Sequence, residues 1–159
     1  MKKVIVFIAG MVVMGVVVVM VMPKMMIVTH ESKFDFDTTV TMIEENISAS
    51  PGWIHKKTNM MHQEIYNETG GKELGVRVAG IKLCKGEYAY TILKDEQARY
   101  MSALMPCSIS VWENEKGSVF ISEMNIPLMG KLFGGIISEV MAGKVGPEEK
   151  VMLEGIIRD

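Results

Sequence analysis

Three observations predict an α+β domain on a mainly antiparallel sheet, with helices packed on it and one transmembrane helix ahead of it. The first is an unbroken apolar run, Val4 to Met22, with no charge, hydroxyl or amide side chain. The second is a period-two alternation in which Cys107, Ile109 and Val111 face away from Ser108, Ser110 and Trp112, followed by a turn and a returning apolar segment. The third is the chain order of the other signals, with strands and helices interleaved before the hairpin and helices alone after it.

As a helix the apolar run rises about 28 Å at about 1.5 Å per residue, close to the roughly 30 Å hydrocarbon core of a bilayer. It is too long for the h-region of a secretory signal, about 7–15 residues. Met22-Pro23-Lys24-Met25-Met26 offers a processing enzyme no small side chains, and no cysteine for lipoprotein attachment. Residues 1–24 therefore read as an uncleaved signal anchor, with the lipid bilayer as the partner of residues 4–22. Lys2 and Lys3 before the run orient the N-terminus toward the cytoplasm. The expectation is a single-pass protein of a prokaryotic cytoplasmic membrane whose residues 25–159 lie outside the cytoplasm.

Residues 25–159 suffice for one domain and not for two. They carry fourteen basic residues against nineteen acidic ones, with no basic stripe, which argues against a nucleic-acid partner. Seven of the sixteen methionines lie in or beside the anchor.

Met25 to Glu31 reads as the first strand. Asp37 is placed to cap a helix running to about Ser48, with Val40, Ile43 and Ile47 on one face. Pro51-Gly52 ends that unit, and Trp53 to Lys57 is a short strand. Asn59 to Tyr66 is a helical turn or loop, closed by Gly70-Gly71. Leu74 to Leu83 reads as a strand with Val76, Val78 and Ile81 as core positions, and Gly80 marks a bulge or a close approach. Gly86 to Leu93 reads as a helix. In the hairpin, Asn114-Glu115-Lys116-Gly117 is the turn and Val119 to Met124 the return strand. Asn125 and Pro127 start a helix lasting to about Ala142, and Pro147 starts a last one through Ile157.

The segments Leu83-Cys84-Lys85-Gly86-Glu87-Tyr88-Ala89, Met105-Pro106-Cys107-Ser108-Ile109-Ser110-Val111, Gly117-Ser118-Val119-Phe120-Ile121-Ser122 and Met124-Asn125 together resemble the prokaryotic domain-of-unknown-function 302 (DUF302) family. The resemblance spans roughly Ile27 to Met141. It implies a compact α+β fold and brings no catalytic residues with it.

Chemistry-bearing residues are few. Cys84 stands at the end of one strand and Cys107 at the start of another. A structural disulfide, two buried thiols, and a redox or soft-metal pair are all open. Met105, two residues before Cys107, adds a thioether suited to Cu(I) or a haem iron, so Cys84, Cys107 and Met105 are the candidate cofactor contacts. His30, His55 and His62 have no ligand spacing, so no metal set is expected. There is no G-x-S-x-G and no H-E-x-x-H. Met129-Gly130-Lys131-Leu132 lacks the first glycine and the hydroxyl of a phosphate loop. Glu44-Glu45 and Glu148-Glu149 read as solvated carboxylates.

The Pro127–Ala142 helix carries more apolar surface than one packing contact needs: Leu128, Leu132, Phe133, Ile136, Ile137 and Val140, with Gly130 and Gly134 permitting close approach. Deep burial, a homodimer face, the wall of a pocket for a small apolar ligand, and contact with the membrane surface are its four readings. The function expected is a membrane-anchored, dimeric binding or interaction module without catalysis. Thiol redox or soft-metal/haem chemistry at Cys84 and Cys107 is the alternative.

Overall fold

The computed structural model describes residues 22–158, together with Gly15 and Met20. The signal anchor expected over Val4–Met22 lies almost wholly outside the described residues, and no helix among those described is long and apolar enough to cross a membrane. Five strands, β1 (Ile27–Glu31), β2 (Trp53–Met60), β3 (Val78–Lys85), β4 (Cys107–Glu113) and β5 (Val119–Met124), form a sheet in the order β1-β5-β4-β3-β2. Every neighbouring pair is antiparallel. The helices are α1 (Phe36–Ala49), α2 (Met61–Glu68), α3 (Gly86–Lys94), α4 (Ile126–Phe133), α5 (Gly135–Ile137) and α6 (Gly146–Leu153). A 3-10 segment, Glu96–Leu104, follows α3, and a π-helical segment, Ser138–Val145, joins α5 to α6. The expected α+β architecture and antiparallel sheet are observed.

Alternation sorts the sheet into two faces. Ala79, Ile81, Leu83, Ile109, Val111 and Ile121 are fully buried beneath α1, α6 and the π-helical segment. The other face is half-exposed. There Trp112 stacks on Phe120 at 4.6 Å between centroids and donates to Ser122 Oγ at 2.9 Å. The hairpin and its two faces are as the alternation predicts. So are Val40, Ile43 and Ile47, which are buried along α1.

Several expectations are corrected. Asp35, not Asp37, caps α1: its carboxylate accepts from the Thr38 N–H at 3.0 Å and the Thr38 hydroxyl at 2.8 Å. Asp37 is turned to Arg77, 2.8 Å away. The Leu74–Leu83 strand begins only at Val78, so Ile81 alone of Val76, Val78 and Ile81 is fully buried. Gly80 does mark a close approach, since a Cβ there would sit 2.6 Å from Met61 Cε. The register shift falls instead on the partner strand, between His55 and Lys57. The 3-10 segment had no periodic signal to reveal it.

The Pro127–Ala142 helix is not one helix. Asn125 caps α4 by accepting from the Leu128 N–H at 3.1 Å, and the chain then breaks at Gly134, where φ is +70°. Gly130 packs inside the monomer: a Cβ there would lie 2.8 Å from the Ala142 nitrogen. The turn lets the π-helical segment fold back over α4, so the Ile126 and Met129 side of α4 is used in the domain's own core.

Candidate functional site

Two cavities border the hairpin that begins at Cys107, one at each of its strands. Leu83 lies opposite Cys107 in the β3–β4 register, so Cys84 takes the alternate face of β3. Both thiols still border one small, apolar cavity of about 40 Å³, with Met101, Leu104 and Met105. The structure thus brings Cys84, Cys107 and Met105 together, as free thiols beside a thioether. Burial, reinforced by the charge of Glu149 and by Cys84, pushes the Cys107 thiol up to about 12. A thiol held neutral is a poor nucleophile and a poor soft-metal ligand. The volume lies far below the roughly 300–1,000 Å³ of ordinary ligand pockets, so a haem does not fit.

The residues assigned to an interface or pocket divide. Leu132 and Phe133 are exposed, with Phe133 against Tyr100 at 5.9 Å between ring centroids. Leu128 and Ile136 are half-buried. Ile137 and Val140 are core residues and cannot form an outer face, because the break at Gly134 turns them inward.

The larger cavity, about 490 Å³, lies between β1, the end of β5, the start of α4, and α6. Two carboxylates border it. Glu123 continues the core-facing alternation of Val119 and Ile121, and stands in register between Val28 of β1 and fully buried Ile109 of β4. Its Oε2 is buried with no hydrogen-bond partner. Glu149 comes from α6, one helical turn before buried Met152 and Leu153, and is 3 % exposed. Burial drives Glu123 up to about 7. Burial, then the charge on Glu123 beside it, drives Glu149 up to about 8. No hydrogen bond compensates either shift. Val28, Ile126, Pro127, Leu153 and Ile157 supply apolar walls, and His30 of β1 also borders the chamber.

Neither carboxylate was among the candidates from sequence. Expecting Glu148-Glu149 to be solvated is wrong for Glu149, because its spacing of three and four to Met152 and Leu153 puts it on the buried face of α6. That spacing, and the parity of Glu123 with Ile121, are the signals that could have found them. Glu148, the neighbouring residue, faces the other way. It accepts from Trp53 Nε1 at 2.5 Å, Tyr88 Oη at 2.5 Å and Lys85 Nζ at 3.0 Å. Burial works against its charge, yet these donors hold it below the ordinary glutamate range.

Asn125 ties the chamber to the chain's entry. It borders the cavity, its N–H donates to the Met26 carbonyl at 2.8 Å, and its side-chain amide donates to the Met25 carbonyl at 3.0 Å.

A family model described as "Domain of unknown function DUF302" matches residues 28–152. Among solved structures, the crystal structure of an uncharacterized conserved protein DUF302 from Bacillus stearothermophilus superposes with a TM-score of 0.67. It shares 14 % sequence identity, over 82 % of this chain and 97 % of that one, a likeness of fold alone. No curated protein matches.

Proposed function

This chain belongs to the DUF302 family, and we propose that it is a membrane-anchored, extracytoplasmic binding module that takes a small, largely apolar ligand into the chamber bordered by Glu123 and Glu149. One observation carries the reading. A chamber of about 490 Å³ has largely aliphatic walls, a buried Glu149 and a Glu123 with one oxygen buried and unpartnered, and no ion pair among the described residues reaches either acid. Fold stability alone gains nothing from such a pair, since an unpartnered buried polar group is a net cost. A site that must meet a ligand has a use for it. The anchor at residues 4–22 would hold this chamber close to the membrane, because Asn125 fastens its rim to Met25 and Met26.

The same reading includes a homodimer. Leu132, Phe133 and Tyr100 leave an apolar surface that a second copy would cover. Thiol redox or soft-metal chemistry at Cys84 and Cys107 is the weaker alternative, because the Cys107 site favours the neutral thiol.

Methyl NMR of the full chain in lipid nanodiscs, with n-butanol, cyclohexanol and n-butylamine as probes, tests the reading. At least one probe should shift the methyl signals of Val28, Ile126, Leu153 and Ile157 saturably. Val28→Trp, which fills the chamber from its half-buried wall, should abolish the shifts of Ile126, Leu153 and Ile157 while the melting temperature is kept. No saturable shift from any probe would overturn the chamber as a binding site.

A further inference from the structure

We propose that the ligand of the chamber is an organic ammonium ion, its N–H groups held between Glu149 and Glu123 and its hydrocarbon body lying against Val28, Ile126 and Leu153. The inference rests on the binding role above and names the chemistry of what is bound.

The two carboxylates approach from different layers. Glu123 comes from the sheet and Glu149 from the helix above it, so an ion in the chamber meets both. Glu149 is 3 % exposed and no hydrogen bond reaches it from the described residues, while Glu123 Oε2 is buried and unpartnered. Two such acids cannot both ionise in an apolar space without a cation between them. A neutral ligand could relieve the missing hydrogen bonds but would leave the pair unable to ionise together. An alkylammonium supplies several N–H donors and the missing charge in one group, and its chain matches the aliphatic walls.

A metal ion fits less well. Among the described residues no group of three or more His, Cys, Asp or Glu is arranged to hold one. Hard cations take six or more oxygen ligands, and the walls here are largely hydrocarbon.

Other charged and titratable groups face the pair from each surrounding element: His30 from β1, Cys107 from β4, Lys150 from α6 and Glu154 just after it. Lys150 and Glu154 are exposed, where water screens them. Cys107 stays neutral. None of these forms an ion pair with Glu123 or Glu149 among the described residues. Loading an ammonium ion should therefore ionise acids that are protonated in the empty chamber, and release protons to the solvent.

The test titrates the full chain in nanodiscs, near neutral pH, with n-butylamine and with the neutral isostere n-butanol, read on the chamber methyls. The amine should bind at least about tenfold more tightly. Glu149→Gln should bring the two ligands within about twofold, and Glu123→Gln should weaken the preference. Thermal melting of both variants confirms that they fold. Amine binding should also release protons, seen as a dependence of the calorimetric heat on the buffer's ionisation enthalpy. Equal binding of n-butanol, or a preference that survives Glu149→Gln, would overturn the ammonium assignment and leave the binding role standing. Chamber shifts caused by calcium or magnesium chloride without amine would overturn it in favour of a metal. If no probe enters, the binding role itself falls, and the assignment with it.

Discussion

Glu148 and Glu149 are consecutive in α6, yet one is held ionised by three donors and the other is buried with none. The helix turns by about 100° per residue, which is enough to send one carboxylate to Lys85, Tyr88 and Trp53 and the other into the chamber beside Glu123. The first fastens α6 to α3 and β2. The second strains the core it sits in.

That strain should appear as pH dependence. Glu123 and Glu149 have folded-state values raised to about 7 and about 8, above those of an unfolded chain. Their protonated forms favour the folded state, so stability is fully present below the unfolded value and declines as pH rises through the folded ones. Between those limits each group contributes a slope of up to about 1.4 kcal/mol per pH unit. Denaturant unfolding of the ligand-free chain should show a midpoint falling from mildly acidic to mildly alkaline pH, and Glu149→Gln should flatten the fall. A midpoint that stays level over that window would show the two acids to be solvated.

Gly130 and Gly134 should respond to alanine for different reasons. At Gly130 a methyl meets the backbone nitrogen of Ala142 at 2.8 Å, so the π-helical segment must shift. The cost should be about 1–3 kcal/mol, as for other overpacked sites. At Gly134 nothing lies within 4 Å, but φ is +70°. The cost there is backbone strain, since φ +70° with ψ −170° is a region open essentially to glycine alone, about 1–3 kcal/mol. A crystal structure of each variant separates the two: Gly130→Ala should displace residues 141–142, and Gly134→Ala should leave the packing unchanged.

Ile109 is fully buried at the centre of the sheet, opposite Ile81 on one side and Glu123 on the other. Ile109→Ala should cost about 2–5 kcal/mol in equilibrium unfolding. Ser108→Ala, on the exposed face of the same strand, should stay within about 0.5 kcal/mol.

The anchor is testable in cells. The full chain should remain with the membrane through carbonate washing, and its C-terminus should be digested when intact spheroplasts are treated with protease. A mature fragment starting near Met25 would overturn the anchor. A C-terminus protected in intact spheroplasts would overturn the orientation.

Much of the fold is legible in the linear chain because the signals behind it are local. The alternation from Cys107 to Trp112 sets both faces of β4 without reference to any other element. The spacing of Val40, Ile43 and Ile47 does the same for α1, and Asn125 before Pro127 marks the start of α4. The misplaced cap shows where local reading stops. Asp35 and Asp37 are both plausible caps, and the choice falls to Arg77, forty residues on, which takes Asp37. The site lies beyond that limit altogether. Glu123 sits at a core position by parity, but its cover depends on α6, which borders the same cavity. Glu149 is buried because the chain breaks at Gly134 and the π-helical segment folds back, which also withdraws Ile137 and Val140 from any outer surface. Periodicity is a property of neighbours along the chain. The environment of a carboxylate depends on which distant segments come to cover it, and that only the packed tertiary structure decides.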